Sequence, residues 1–388
     1  MSLTLPAPSP ILAMARRAAE LKAAGHAIID LTLGEPDFTP PAHVLAAAHA
    51  ALDNRKLGYS PANGLLELRQ AIVQAFERNS GVHYDINQIA VGCGAKQIIF
   101  NAFLASIQAG DEVIIPAPYW ASYPDMVRAC GGVPVIVPCS LEQGFRLQPA
   151  HLQAAISERT RWLIINAPGN PSGVTYSTQD LEALGQVLLR HPQVMILSDD
   201  IYAHIHFAAD GQPVRTLLTA MPALKSRILT VDGVSKAYAM TGWRVGWGAG
   251  PQSLIDRINA VQSQNCTQTS SLSQMAAAAA LNGPQQCLQE RNAVYRDRRD
   301  AALAILQTAP GLVVNKPDGA FYLLPTLTGT VRDGDAAADA LLHEHRVAVV
   351  PGSAFGVTEA LRLSFATDKA QLVEGCRRIV DYLGKARP

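Results

Sequence analysis

Seven short runs rich in β-branched and small apolar residues recur through the middle of the chain: "IAVGC", "DEVIIPA", "VPVIV", "RWLIINA", "VMILSD", "ILTVDG" and "WRVGWGA". Between them lie longer stretches whose leucines and valines return every three or four residues, such as "LLELRQAIVQAFERNSG", ending at Gly81, and "TQDLEALGQVLLRHP", ending at Pro192. Strand runs alternating with amphipathic helices predict an α/β architecture, a seven-stranded, mostly parallel sheet covered by helices on both faces.

The pattern changes after Arg291. A charged helix, "ERNAVYRDRRDAALAILQTAPG", leads into "GAFYLLP", "VAVVPG" and "LRLSFAT", and a last amphipathic helix starts at Asp368. These read as a smaller α+β unit, which "AIIDLTLGEPDF" near the start of the chain is able to join. At 388 residues the chain is long for one core. The expected division is an amino-terminal arm plus part of the small domain over 1–45, a large ligand-binding domain over 46–285, and the rest of the small domain over 286–388.

Charge narrows the partners. Thirty-two basic residues balance 32 acidic ones, which leaves no excess field for nucleic acid or an anionic membrane surface and points to a small molecule. Six cysteines are scattered without a CxxC pair, so neither a metal site nor a disulfide framework is expected, and a cytoplasmic location fits. Prolines interrupt the apolar run that a signal peptide would need, and the longest apolar stretch, Met275 to Leu281, is too short to cross a bilayer.

In open α/β sheets ligands sit beyond the carboxyl ends of the strands, and the loops there carry unusual residues. Lys236 follows "ILTVD" among small neighbours, where a desolvated amine gains nucleophilicity; it is otherwise a surface lysine. Asp199 and Tyr202 in "SDDIY" suit a pyridine nitrogen and a ring oxygen, yet Asp after a strand is also an ordinary cap. Asn170 in "NAPGNPSG" presents an amide from a turn that needs no function to exist. Gly94, Ala95 and Lys96 of "GCGAKQ" open a helix whose free N–H groups favour an anion, although the spacing is not that of a Walker loop. Trp120 of "PYWASYP" is placed to cover an aromatic ligand or to pack a core. Arg244 and Arg362, each among apolar residues, suit a phosphate or carboxylate, or a structural ion pair.

Taken in order, "LGEPDF", "YSPANG", "GDEVIIPAPYW", "NAPGNPSG", "SDDIY", "SKAYAMTGWRVG" and "LRLSFAT" resemble segments of the class I, fold-type I aminotransferases that use pyridoxal 5'-phosphate, over nearly the whole chain. The resemblance implies that Lys236 forms the aldimine with the cofactor and moves the substrate proton. Asp199 would hold the pyridine nitrogen protonated, Tyr202 and Asn170 would bond the ring oxygen, and Trp120 would stack on the ring. Gly94, Ala95, Lys96 and Arg244 would hold the phosphate, with Tyr59 reaching across from the second subunit of a homodimer. Arg362, with Asn170, Trp120 and the backbone at Gly34, would bind the substrate α-carboxylate. Much of the family has a serine three residues before the lysine, where this chain has Gly233, which implies one phosphate bond fewer.

"GAKQ" is similar to the "GGKQ" of some bacterial aspartate aminotransferases, in which that lysine meets the distal carboxylate. Lys96 is therefore read either as a substrate residue or as a second phosphate cation, and aspartate or glutamate as the expected donor. An aromatic or alanine-type aminotransferase and a pyridoxal phosphate lyase on the same fold remain the alternative enzymes, and a non-catalytic effector module would need a DNA-binding segment that is not evident here.

Overall fold

The computed structural model describes residues 10–54, 57–208 and 213–385. The first nine residues of the expected amino-terminal arm and the last three of the chain lie outside them. A short strand, β1 (Ile29–Asp30), and three helices, Pro10–Ala23, Ala42–Asn54 and Leu66–Ser80, precede the main sheet. That sheet is built from β2 (Ile89–Gly92), β3 (Glu112–Ala117), β4 (Val133–Pro138), β5 (Thr160–Ile165), β6 (Met195–Asp199), β7 (Ile228–Gly233) and β8 (Gly246–Ala249). The carboxyl-terminal third adds β9 (Leu312–Val313), β10 (Tyr322–Leu323), β11 (Thr326–Leu327), β12 (Val347–Ala348), β13 (Val350–Pro351) and β14 (Leu361–Ser364).

The seven strands lie in the order β2-β8-β7-β6-β5-β3-β4, and only β8 runs against its neighbours. Every residue of β7 is buried, because helices cover both faces and leave no polar side to alternate with. β4 is one of the two edge strands and the most exposed, and it holds Pro134 and Pro138 where a missing ladder donor costs little. The expected helix at 65–81 spans Leu66–Ser80 and stops at Gly81, whose φ of 66° only glycine adopts cheaply. The helix Thr178–Leu189 starts in a capping box between Ser177 and Asp180.

One strand is shorter than "WRVGWGA" predicts. Thr241–Trp243 form a turn of 3-10 helix and Arg244 takes a φ of 56°, so the strand begins at Gly246, where it pairs with Gly92 and Gly233. Because β8 runs antiparallel, its beginning lies at the same sheet edge as the ends of β2 and β7. Arg244 is thereby delivered to that edge.

A second apolar core unites both chain ends. β1 pairs in parallel with β12, and β14 lies between β10 and β13. Ile29, Leu31, Phe321, Leu341, Leu363 and Ile379 are buried together there. The cleft between this unit and the carboxyl edge of the main sheet is where the unusual loops converge.

Candidate active site

Loops from five strands of the main sheet and two strands of the small unit enclose a cavity of about 280 Å³, near the lower end of the roughly 300–1,000 Å³ usual for small-molecule sites. Its wall includes Lys236, Asp199, Tyr202, Asn170, Trp120, Ala95, Lys96, Arg244, Gly34 and Arg362. Gly94 adjoins it as the residue before the helix Ala95–Ser106. Tyr59 is apart, 91% exposed on this chain. Among the described residues no cluster of His, Cys, Asp and Glu is arranged to hold a metal ion.

Lys236 stands three residues beyond β7. Its Nζ donates to the carbonyl of Gly34 at 2.6 Å, and the rings of Tyr202 and Phe321 lie 5.9 and 6.0 Å away. Burial lowers the amine to about 8, helped by the charges of Arg362 and Arg244 and opposed by those of Glu35 and Asp199. A lysine so shifted holds an appreciable unprotonated fraction near neutral pH.

Asp199 ends β6 and is fully enclosed. Burial pushes its carboxyl up to about 6, while the hydroxyl of Tyr123, donating to Oδ2 at 2.6 Å, the backbone N–H of Ile201 and the charge of Lys236 all work the other way. The side-chain amide of Asn166 fixes the same residue by donating to its carbonyl at 2.7 Å. Tyr123 is itself pushed well above its ordinary value, so it stays a donor.

Arg362, on β14, is 1% exposed. One Nη donates to Oδ1 of Asn170 at 3.2 Å and the other to the carbonyl of Thr32, and the guanidinium lies 4.7 Å from the ring of Tyr322 and 5.1 Å from that of Phe355. Its Nε is buried without a partner. Among the described residues no carboxylate pairs with it, so a buried cation here calls for an anion from outside the chain.

At the far end, Arg244 donates to the carbonyls of Thr241 at 2.8 Å and Cys93 at 3.2 Å. A Cβ on Gly94 would come 2.5 Å from its Nη2, and a Cβ on Gly246 would come 2.2 Å from the backbone nitrogen of Ala95. Both glycines let a cation and a helix start close on one small volume, which suits a phosphate. Gly233 is equally tight: a Cβ there would come 2.9 Å from the carbonyl of Val245, so a serine would need the backbone to shift. Lys96 lies 4.7 Å over the ring of Trp120, and burial lowers its amine, with the charge of Arg244 adding to the effect.

The residues present fit the cofactor that the resemblance implies: an amine of lowered basicity, an enclosed carboxyl, and a cation beside a helix start share one cavity. In this chain the Tyr202 hydroxyl meets that of Tyr322 at 2.8 Å. Sequence reasoning passed over Tyr123, Asn166, Tyr322, Ser235, Thr241 and Ile11, which also line the cavity. Tyr123 had a signal, since it stands three residues after Trp120 in a motif already singled out. Ile11, from the helix Pro10–Ala23, had none.

The family described as "Aminotransferase class I and II" matches residues 26–379. An aspartate/prephenate aminotransferase of Cereibacter sphaeroides is 46% identical over 382 residues, covering 96% of this chain and 95% of that protein. An aspartate aminotransferase of Rhizobium meliloti is 47% identical, covering 96% and 92%. Among solved structures, the aspartate aminotransferase from Rhizobium meliloti superimposes with a TM-score of 0.95 at 44% identity over 98% of each chain. The Thermus thermophilus enzyme with maleate does so with a TM-score of 0.91 at 38% identity over 97% of each.

Proposed function

The chain belongs to the class I and II aminotransferases, and from that premise we propose which of its residues carry the reaction. It is an enzyme that uses pyridoxal phosphate to move an amino group from an amino acid to a 2-oxo acid. The cofactor supplies an aldehyde that exchanges among amines and a ring that accepts the electrons left when Cα loses its proton. The observation that carries the assignment is that Lys236, Asp199, Arg244 and Arg362, from four separate stretches of chain, line the same cavity.

Lys236 would hold the cofactor through Nζ and would move the proton at the substrate Cα. Asp199, held by Tyr123 and Asn166, would keep the ring nitrogen protonated. Tyr202 and Asn170 would bond the ring oxygen, and Trp120 would pack against the ring. Backbone N–H groups at Gly94, Ala95 and Lys96, with the guanidinium of Arg244, receive the phosphate. Arg362 takes the substrate α-carboxylate through its unpartnered Nε and an Nη, assisted by Asn170, Trp120 and the Gly34 backbone. Tyr59, exposed here, completes the phosphate site of the second subunit in a homodimer.

The donor we assign is aspartate or glutamate. Lys96, at the mouth of the cavity beside Trp120, offers a cation to a distal carboxylate; the names of the Rhizobium and Cereibacter relatives, and the dicarboxylate in the Thermus structure, support the same class. A panel of amino donors against 2-oxoglutarate, repeated with Lys96→Ser, tests it. Selective loss of acidic donors is the expected result, and uniform loss would move Lys96 to the phosphate.

The functional division we favour keeps 46–285 as the cofactor-binding domain and joins 1–45 to 286–388, supported by the separate apolar core that β1 shares with β12. No described helix is long and apolar enough to cross a membrane. All six cysteines are free, in keeping with the cytoplasm.

A further inference from the structure

Two thiols meet behind the turn that leads into the helix Ala95–Ser106. Cys93 and Cys266 are 173 residues apart in sequence, yet their Sγ atoms lie 4.0 Å apart, and both are partly exposed. Gln97 bridges them, accepting from the backbone N–H of Cys93 at 2.6 Å through Oε1 and donating to Sγ of Cys266 at 2.8 Å through Nε2. Each sulfur also faces the carbonyl of Gln268, at 4.0 Å from Cys93 and 3.8 Å from Cys266. Nothing in the transamination uses either thiol.

We propose that Cys93 and Cys266 form a reversible oxidation site, closed to a disulfide by a small peroxide, and that closure loosens the grip on the cofactor phosphate. One sulfur, as thiolate, takes an oxygen from hydrogen peroxide; the O–O bond breaks, hydroxide leaves, and the sulfur becomes a sulfenic acid. The second thiolate attacks that sulfur, forming the S–S bond and expelling its oxygen as hydroxide. The two thiol protons convert both hydroxides to water, so two thiols lose two electrons and one peroxide gains them. A dithiol reductant reverses the bond by exchange.

The mechanical consequence follows from the neighbours. The sulfurs must approach by about 2 Å to reach bonding distance. Cys93 precedes Gly94, whose φ of 83° sets the entry to the helix, and the carbonyl of Cys93 accepts from Arg244 at 3.2 Å. Pulling Cys93 toward Cys266 therefore displaces the backbone and the cation that face the phosphate. The bond itself rests on geometry alone, whereas its effect on the cofactor rests on the site assignment above.

The test treats the holoenzyme with equimolar hydrogen peroxide and follows intact mass, non-reducing peptide maps and the cofactor absorbance retained on gel filtration. The expected result is loss of two hydrogens, one linked Cys93–Cys266 peptide, and about tenfold weaker cofactor retention, the scale of one lost charge-assisted hydrogen bond. Dithiothreitol restores all three, Cys266→Ser abolishes them, and Cys130→Ser does not. Oxygen added to either sulfur without the link, an unchanged mass, or a linked enzyme that keeps its cofactor as tightly as before would each overturn the proposal. Failure of the fully reduced enzyme to take up cofactor at all would instead count against the assignment of the site.

Discussion

The Tyr123 hydroxyl donates to Oδ2 of Asp199 across 2.6 Å, and both residues are buried in the cavity wall. That bond offsets part of the burial that raises the carboxyl to about 6. Tyr123→Phe removes it, so the carboxyl takes up its proton at a higher pH. Cofactor affinity measured from pH 5 to pH 9 then falls off, on the acid side, about one pH unit higher than in the wild type, the equivalent of one hydrogen bond to a charged group.

The same carboxyl costs the cofactor-free protein stability. A rise from 3.8 to about 6 means that the folded state binds more protons than the unfolded chain between those values, so stability falls as pH climbs through that window. Asp199→Asn removes the effect, and urea unfolding of the cofactor-free protein at pH 7 shows a gain of about 2–3 kcal/mol that shrinks toward pH 4. Cofactor binding weakens at the same time. A variant no more stable at pH 7 than at pH 4, relative to wild type, contradicts this.

Glu35 raises the basicity of the Lys236 amine through its charge. Glu35→Gln should move the midpoint for cofactor capture by the cofactor-free enzyme below about 8, by a fraction of a unit. Stopped-flow absorbance across pH 6 to pH 10 measures it, and a midpoint that rises has the wrong sign for this arrangement.

Arg362 presents a planar guanidinium whose Nε has no partner among the described residues, and the α-carboxylate is the ligand proposed for it. Lys in its place keeps the charge and loses the paired donors, so Arg362→Lys lowers kcat/KM by about 10²–10³, the scale of a buried charged hydrogen bond. Because the α-carboxylate is common to every donor, aspartate and alanine suffer alike.

Much of this arrangement is written in local pattern. The apolar runs of the main sheet read as strands because, the edge strand β4 apart, they are largely buried, and Asn170, Lys236 and Trp120 follow strand ends that the runs already mark, while Asp199 closes one. Arg244 reads from its apolar neighbours as a half-buried cation within a strand, whereas the structure leaves it exposed, with a φ of 56° just before the strand begins at Gly246. Tyr322 and Ile11 reach the cavity from the small unit and the first helix by tertiary packing, which no periodicity reports. The strands of the small unit carrying Arg362 and its neighbours run only two to four residues, too short for alternation to define. Tyr59 lies on the surface, 91% exposed and away from the cavity, so nothing in the packing of this chain gathers it with the other residues that the resemblance implied.

The central claim is that the Lys236 side chain holds the cofactor. Borohydride reduction of the holoenzyme followed by proteolysis and peptide mass mapping tests it most directly. A reduced pyridoxyl adduct on Lys236, lost in Lys236→Ala together with activity, is the predicted result; an adduct on any other lysine, or none, would contradict the account.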